Sequence, residues 1–142
     1  MTDFTIRAAT AEDQATIRRL IRQEQLDPTS THWSRFLVAE VGGQIVGIGQ
    51  VKEYPGCQEL GSLITLREYR GLGIAAALIA ALEARARRPL YLLCASKMEP
   101  YYQRFGYQTI GWKDAPTALK VKLAPTTVLR LFGVRVLVMR KD

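Results

Sequence analysis

Phe4, Ile6 and Ala8 alternate with Thr5 and Arg7, the period of a half-buried strand, and the alternation stops at Thr10. Thr10 with Asp13 three residues on resembles a capping box in which Asp replaces the usual Glu or Gln, so a helix is predicted to begin there. Ile17, Leu20, Ile21 and Leu26 supply its apolar stripe, and it ends before Asp27-Pro28. From Arg35 the pattern becomes β-rich. FLVAEV, the Gly42-Gly43 turn and QIVGIGQVKEY predict a hairpin, and Pro55-Gly56 marks a second turn before CQELGSLITL. Loops this short make the three strands antiparallel neighbours.

After Arg70-Gly71-Leu72-Gly73 comes IAAALIAALEARARR, a strong helix former that is apolar nearly all round its first turns and is stopped by Pro89. Such a helix is largely buried. LYLLCA is a continuous apolar run of the buried-strand kind, a short helix over Met98 to Phe105 precedes Gly106, and YQTIGW is a further strand candidate. VRVLVMRK alternates well enough to close the sheet, whereas residues 113 to 133 carry no readable pattern.

With 142 residues, 48% of them hydrophobic, the chain can bury one sizeable core, and a single domain over residues 1–142 is expected. No repeat, low-complexity tract or linker divides it. No apolar run approaches the roughly 18 residues that span a bilayer, and the N-terminus lacks the basic-then-apolar pattern of a signal peptide. A cytoplasmic protein without membrane contact is expected. Cys57 and Cys94 have no CxxC spacing, and one histidine, His32, cannot complete a zinc site with them. No metal is expected. A Ser-His-Asp hydrolase would rest on His32 alone, in a polar loop, and is set aside.

The net charge of +7 is unevenly placed: residues 1–65 carry 6 basic and 8 acidic groups, and residues 113–142 carry 7 and 2. The positive potential belongs to the second half and favours an anionic partner there. One short unit has the chemistry for one. In a strand, then Arg70-Gly71-Leu72-Gly73-Ile74-Ala75, then a helix, the glycines permit a tight turn and close approach, and the first helical N–H groups face whatever anion sits there. A Walker loop would end in Gly-Lys-Ser/Thr, and a Rossmann loop would follow the first strand of a parallel sheet; neither fits.

Arg70-x-x-Gly73-x-Ala75 resembles the hallmark of the GNAT superfamily, the acetyl-CoA-dependent N-acyltransferases, written Arg/Gln-x-x-Gly-x-Gly/Ala. ELGSLITLREYRG before it resembles the family's strand, with Arg67 where many members have proline. Tyr101-Tyr102-Gln103-Arg104-Phe105-Gly106-Tyr107 resembles the later Phe-Tyr-x-x-x-Gly-Phe signature. The resemblance covers nearly the whole chain. It implies an α/β (α+β) fold of GNAT type, with a mixed, mostly antiparallel central sheet of six to seven strands flanked by helices. The fourth and fifth strands would splay to hold acetyl-CoA, with the acetyl group near Leu63 and Cys94.

Carried over by position, the resemblance implies that backbone amides of Arg70, Gly71, Leu72, Gly73, Ile74 and Ala75 hold the CoA pyrophosphate. The backbone of Leu63, Ile64 and Thr65 would pair with the pantetheine arm. Tyr102 would protonate the departing thiolate. Many members have an asparagine where this chain has Ala95, and Ser96 beside it is the substitute contact. An amine must be neutral to attack a thioester, so a group must receive its proton. Glu59, on the strand before the loop, is the candidate base, with a structural carboxylate paired to an arginine as the alternative; Glu53 and Tyr54 are weaker candidates. A backbone N–H near Leu63 or Ile64 would meet the charge on the former carbonyl oxygen. Cys94, with no histidine beside it, reads as a small core residue.

The acceptor is a primary amine, of a small molecule or a peptide. The segment DAPTALKVKLAPTTVLRLFG resembles the Pro-x-x-Leu segment of small amino-acid acetyltransferases, N-acetylglutamate synthase-like ones included, so Lys120, Lys122 and Arg130 would meet an acceptor carboxylate; the alternative is a solvated basic face. A protein lysine or N-terminus is an alternative acceptor, and a positive cleft disfavours a polyamine. A non-catalytic CoA- or nucleic-acid-binding module of the same fold is the rival class, although no aromatic-interleaved basic stripe favours nucleic acid. The chain is expected to be a monomer or homodimer.

Overall fold

The computed structural model describes residues 3–123 and 135–142. Arg130 and the rest of residues 124–134 lie outside the described residues. The chain divides into two units, Met1–Lys52 with Leu60–Ala86, and Glu53–Glu59 with Arg87–Asp142.

In the first unit the alternation of Phe4 to Ala8 becomes β1 (Thr5–Ala8). FLVAEV and QIVGIGQVKEY become β2 (Phe36–Val41) and β3 (Gln44–Tyr54), and CQELGSLIT becomes β4 (Cys57–Thr65). The strands run in the order β1-β2-β3-β4. β1 pairs antiparallel with β2, Thr5 opposite Glu40 and Ala8 opposite Leu37. β2 pairs antiparallel with β3, with an irregularity between Ala39 and Glu40. The helix expected at Thr10 starts as a 3-10 turn (Ala11–Asp13) and continues as α1 (Gln14–Gln23). Its stripe of Ile17, Leu20 and Ile21 is buried against Phe36, Val38, Ile48 and Ile64, with Leu26 and Trp33 at the margin.

The other sheet face of this unit receives α2 (Ile74–Glu83). Two glycines of β3 admit it. A Cβ on Gly47 would lie 3.1 Å from Ile74 Cγ2 and Leu78 Cδ1, and one on Gly49 would lie 2.8 Å from Leu82 Cδ1. α2 is shorter than its composition predicts. Beyond Glu83 the bonds tighten to Arg85 N–H onto the Leu82 carbonyl and Ala86 N–H onto that of Glu83, so ARARR leaves the helix before Pro89.

The start of α1 is held by charge. Asp13 Oδ2 accepts from the Thr10 N–H at 2.7 Å, and Arg7 grips both Asp13 oxygens at 2.8 and 3.1 Å while its Nε reaches Glu40 at 2.6 Å. The Arg7 bonds hold Asp13 below the usual carboxylate range. A carboxylate depressed in the folded state contributes stability above its unfolded value, near 3.9, and loses it as pH falls through the folded value. Asp13→Asn is therefore expected to cost about 1–2 kcal/mol at pH 7, discounted because Arg7 is partly exposed. Its urea midpoint is expected to converge with that of the native protein as pH falls through the folded value of Asp13. A constant gap across this range would overturn the assignment.

The second unit holds the tip of the β3–β4 hairpin, β5 (Leu90–Ala95), α3 (Glu99–Gln103), β6 (Gln108–Ile110), α4 (Thr117–Leu123) and β7 (Val136–Lys141). Its strands run in the order β5-β7-β6. β7 is antiparallel to both neighbours, Leu90 opposite Lys141 on one side and Gln108 opposite Arg140 on the other. VRVLVMRK thus sits inside the order, and β6 takes the edge. The core contains Cys57, Tyr91, Leu119, Leu123 and Val138. Leu119 and Leu123 stand four apart and face one side of α4, a helix that no pattern in residues 113–133 announced.

Candidate active site

In the first unit β4 ends at Thr65, and a 3-10 turn (Arg67–Tyr69) leads to Arg70. Gly71 and Gly73 have φ of +80° and +85°, values that side chains rarely permit. A Cβ at either would meet nothing within 4 Å. Gly73 caps α2 without any side-chain cap bond, and the first helical bond runs from Ala77 N–H to the Gly73 carbonyl. The amides of Ile74, Ala75 and Ala76 consequently have no intrahelical acceptor. Arg70 Nε donates to the Thr65 carbonyl at 3.2 Å and so ties the start of the turn to the end of β4. Leu66 N–H bonds to Val46 of β3 at 2.8 Å, and the Ile64 carbonyl lies against Gly47. By strand alternation the Leu63 and Thr65 backbone groups point away from β3. The Thr65 hydroxyl is buried and has no hydrogen-bond partner, an orphaned group at the end of the strand expected to pair with the pantetheine arm.

In the second unit Glu59 is 4% exposed. Its Oε1 accepts from Lys122 Nζ at 2.8 Å and from Tyr54 Oη at 3.0 Å, and Lys122 Nζ also donates to Tyr54 Oη at 3.0 Å. The Lys122 ammonium lies 5.6 Å from the centre of the Tyr54 ring. Burial pushes the Tyr54 phenol up from its ordinary value, so it acts here as a neutral hydroxyl. Glu53 takes a different course. It bonds to Gln58 at 2.7 Å and Arg87 at 2.8 Å on the exposed surface. The cation paired with Glu59 is a lysine 63 residues away and not an arginine, and Arg87 pairs with Glu53 instead.

Tyr102 lies on α3, its ring edge-on to Tyr101 at 5.1 Å and to Tyr107 at 6.4 Å. Burial, with Cys94 and Tyr101 as smaller contributors, pushes its phenol up to about 12. Cys94 is buried, its thiol pushed up to about 11 by burial, and it contacts Met139 Sδ at 3.7 Å. It is a core residue. Ser96 opens the 3-10 turn before α3; its N–H bonds to the Arg135 carbonyl at 2.9 Å and its side chain is exposed. Lys120 Nζ bonds to the Lys113 carbonyl at 3.3 Å, away from Glu59.

The lysine is expected to matter for folding. Lys122→Met leaves a buried carboxylate without its cation, which costs about 3–5 kcal/mol in a fully buried pair. Lys122 is 23% exposed, so about 2 kcal/mol is expected from urea denaturation. Adding Glu59→Gln to that variant is expected to return most of the loss; no recovery would separate the two groups energetically.

The family model described as Acetyltransferase (GNAT) domain matches residues 32–109. The chain belongs to the GNAT acetyltransferases. This GNAT domain superposes on N-acetylglutamate synthase from Neisseria gonorrhoeae, complexed with coenzyme A and N-acetyl-glutamate, with a TM-score of 0.78 at 21% identity. The match covers 99% of this chain and 35% of that one, so the GNAT domain spans about a third of the length of that synthase. Rv2747 from Mycobacterium tuberculosis, solved with CoA, gives 0.79 at 17% identity over 96% of this chain and 98% of that one. Diaminobutyrate acetyltransferase EctA from Paenibacillus lautus, in complex with L-2,4-diaminobutyric acid and coenzyme A, gives 0.60 at 20% identity over 74% of each chain. At such identities the likeness establishes the fold, which is the mixed, mostly antiparallel sheet flanked by helices that the motifs implied. No curated protein sequence matches the chain. Among the described residues no helix is long and apolar enough to cross a membrane, and no cluster of His, Cys, Asp and Glu could hold a metal.

Proposed function

We propose that this GNAT domain, a single functional domain over residues 1–142, transfers the acetyl group of acetyl-CoA to the primary amine of a small amino-acid-like acceptor. The observation that carries the reading is the turn before α2. Two left-handed glycines with open space at their Cβ positions stand before helical amides that lack acceptors, a cradle suited to a pyrophosphate. In this reading the backbone from Arg70 to Ala75 holds the pyrophosphate, and the outward backbone of Leu63 and Thr65 pairs with the pantetheine arm. Ile64 fills the core with its side chain, and the Ser96 hydroxyl is a further polar contact.

Bound acetyl-CoA supplies an activated acetyl group as its thioester. The acceptor nitrogen forms a bond to the acetyl carbon, the carbon–sulfur bond breaks, the nitrogen loses a proton and the sulfur gains one. Glu59 takes the nitrogen's proton directly or through water, and Lys122 and Tyr54 hold its carboxylate in one orientation. Tyr102 donates toward the departing sulfur. An amino-acid acceptor is favoured by the neighbours that are named for amino-acid substrates, whereas Lys122, expected to meet an acceptor carboxylate, is paired with Glu59 instead. A screen of amino acids, diamines and peptides that follows free thiol release tests the reading. Turnover of an amino acid is expected, and turnover of peptides alone would overturn the acceptor assignment.

A further inference from the structure

The α1 face of β3 changes character along its length. Ile48 is fully buried in the apolar core; two residues on, Gln50 is equally buried, and Lys52, two further, is 2% exposed. Side chains two apart share a strand face. Beside Gln50, Ser62 of β4 is also buried and holds φ at +51°, in the left-handed region that a serine occupies only under strain. The core therefore ends in a buried polar floor, and residues 27–30 lie on it. Gln50 Nε2 donates to the Ser30 carbonyl at 2.6 Å and meets Ser62 Oγ at 2.9 Å. Lys52 Nζ pairs with Asp27 Oδ2 at 3.2 Å, and Asp27 Oδ1 accepts from the Thr29 N–H at 2.9 Å and its hydroxyl at 2.6 Å.

The Ser30 carbonyl can only accept, so the amide nitrogen of Gln50 is the atom that must face it. Gln50 Oε1 is then buried with no hydrogen-bond partner. An unmet buried acceptor and a strained serine fall on one spot, and a hydrogen-bond donor entering there would satisfy the first.

We propose that Gln50 recognises the acceptor, its Oε1 accepting an N–H of that molecule. The inference rests on the amino-acid reading above and deepens it. Gln50 is fully covered, so the acceptor reaches it when residues 27–30 lift, and an oxygen of the acceptor then replaces the Ser30 carbonyl at Nε2. A molecule that offers an N–H and an oxygen together, as an α-amino acid or a primary amide does, matches both ends of the Gln50 amide. A polyamine, which offers donors alone, matches one.

Calorimetry in the presence of CoA tests this with L-glutamate, L-glutamine and putrescine against the native protein, Gln50→Met and Ser62→Ala. The native protein is expected to bind at least one of the two amino acids and to bind putrescine weakly. Gln50→Met is expected to weaken amino-acid binding on the order of tenfold with acetyl-CoA affinity unchanged. Ser62→Ala, which frees the Gln50 side chain, is expected to weaken it a few-fold, and it carries the test if Gln50→Met does not fold. Native-like amino-acid binding in both variants, with only a lowered melting temperature, would assign Gln50 a structural role and overturn the inference alone. Failure of the native protein to bind either amino acid while it binds acetyl-CoA would overturn the acceptor reading and this inference together.

Discussion

Gly73→Val is expected to remove saturable acetyl-CoA binding in calorimetry, a loss on the order of a hundredfold or more in affinity. Gly73 holds φ at +85°, where a side chain costs about 1–2 kcal/mol and a β-branched one more. The added methyl groups would also project into the open space before the free amides of α2, where the reading places the pyrophosphate. Strain and obstruction are separable. Gly56, in the turn between β3 and β4, has φ of +82° and is equally open at its Cβ position. Gly56→Val is therefore expected to lose a similar amount of stability and keep its acetyl-CoA affinity. If both variants bind acetyl-CoA normally, the cradle is wrong; if both lose binding, strain alone is the cause.

Tyr102→Phe is expected to lower turnover about a hundredfold, the lower end of general acid–base contributions, and to leave acetyl-CoA affinity within about twofold. Phenylalanine preserves the ring contacts with Tyr101 and Tyr107, so the substitution removes a hydroxyl and little packing. With the phenol pushed up to about 12, Tyr102 keeps its proton across the working range and is a weak acid there. In the proposed reading its part is a hydrogen bond that strengthens as charge builds on sulfur. The turnover ratio between native and Phe proteins is accordingly expected to stay constant from pH 6 to about 10, since no deprotonation of Tyr102 intervenes. Tyr101→Phe is the control and is expected to retain turnover. An unaltered rate in Tyr102→Phe would remove its role.

Much of this is readable in the amino-acid sequence. β3 reproduces QIVGIGQVKEY residue for residue because a period-two pattern bounded by Gly42-Gly43 and Pro55-Gly56 leaves a single register. The Thr10–Asp13 box and the two left-handed glycines are likewise local, each set by residues a few positions apart. α4 was illegible because its last five residues, Leu119 to Leu123, alternate apolar side chains with Lys120 and Lys122, which fits a helix and a strand about equally well until Leu119 and Leu123 find a core.

The linear pattern, then, carries the elements, the family motifs and the phosphate-loop candidate, since these depend on backbone preference and on spacings of a few residues. The chain's folding decides which charges meet. It pairs Glu59 with Lys122 across 63 residues and Gln50 with Ser30 across 20, and it leaves Gln50 Oε1 without a donor. Such pairings are set by which side chains lose water together, and a buried charge or amide tolerates only the partner that the fold brings within hydrogen-bond reach.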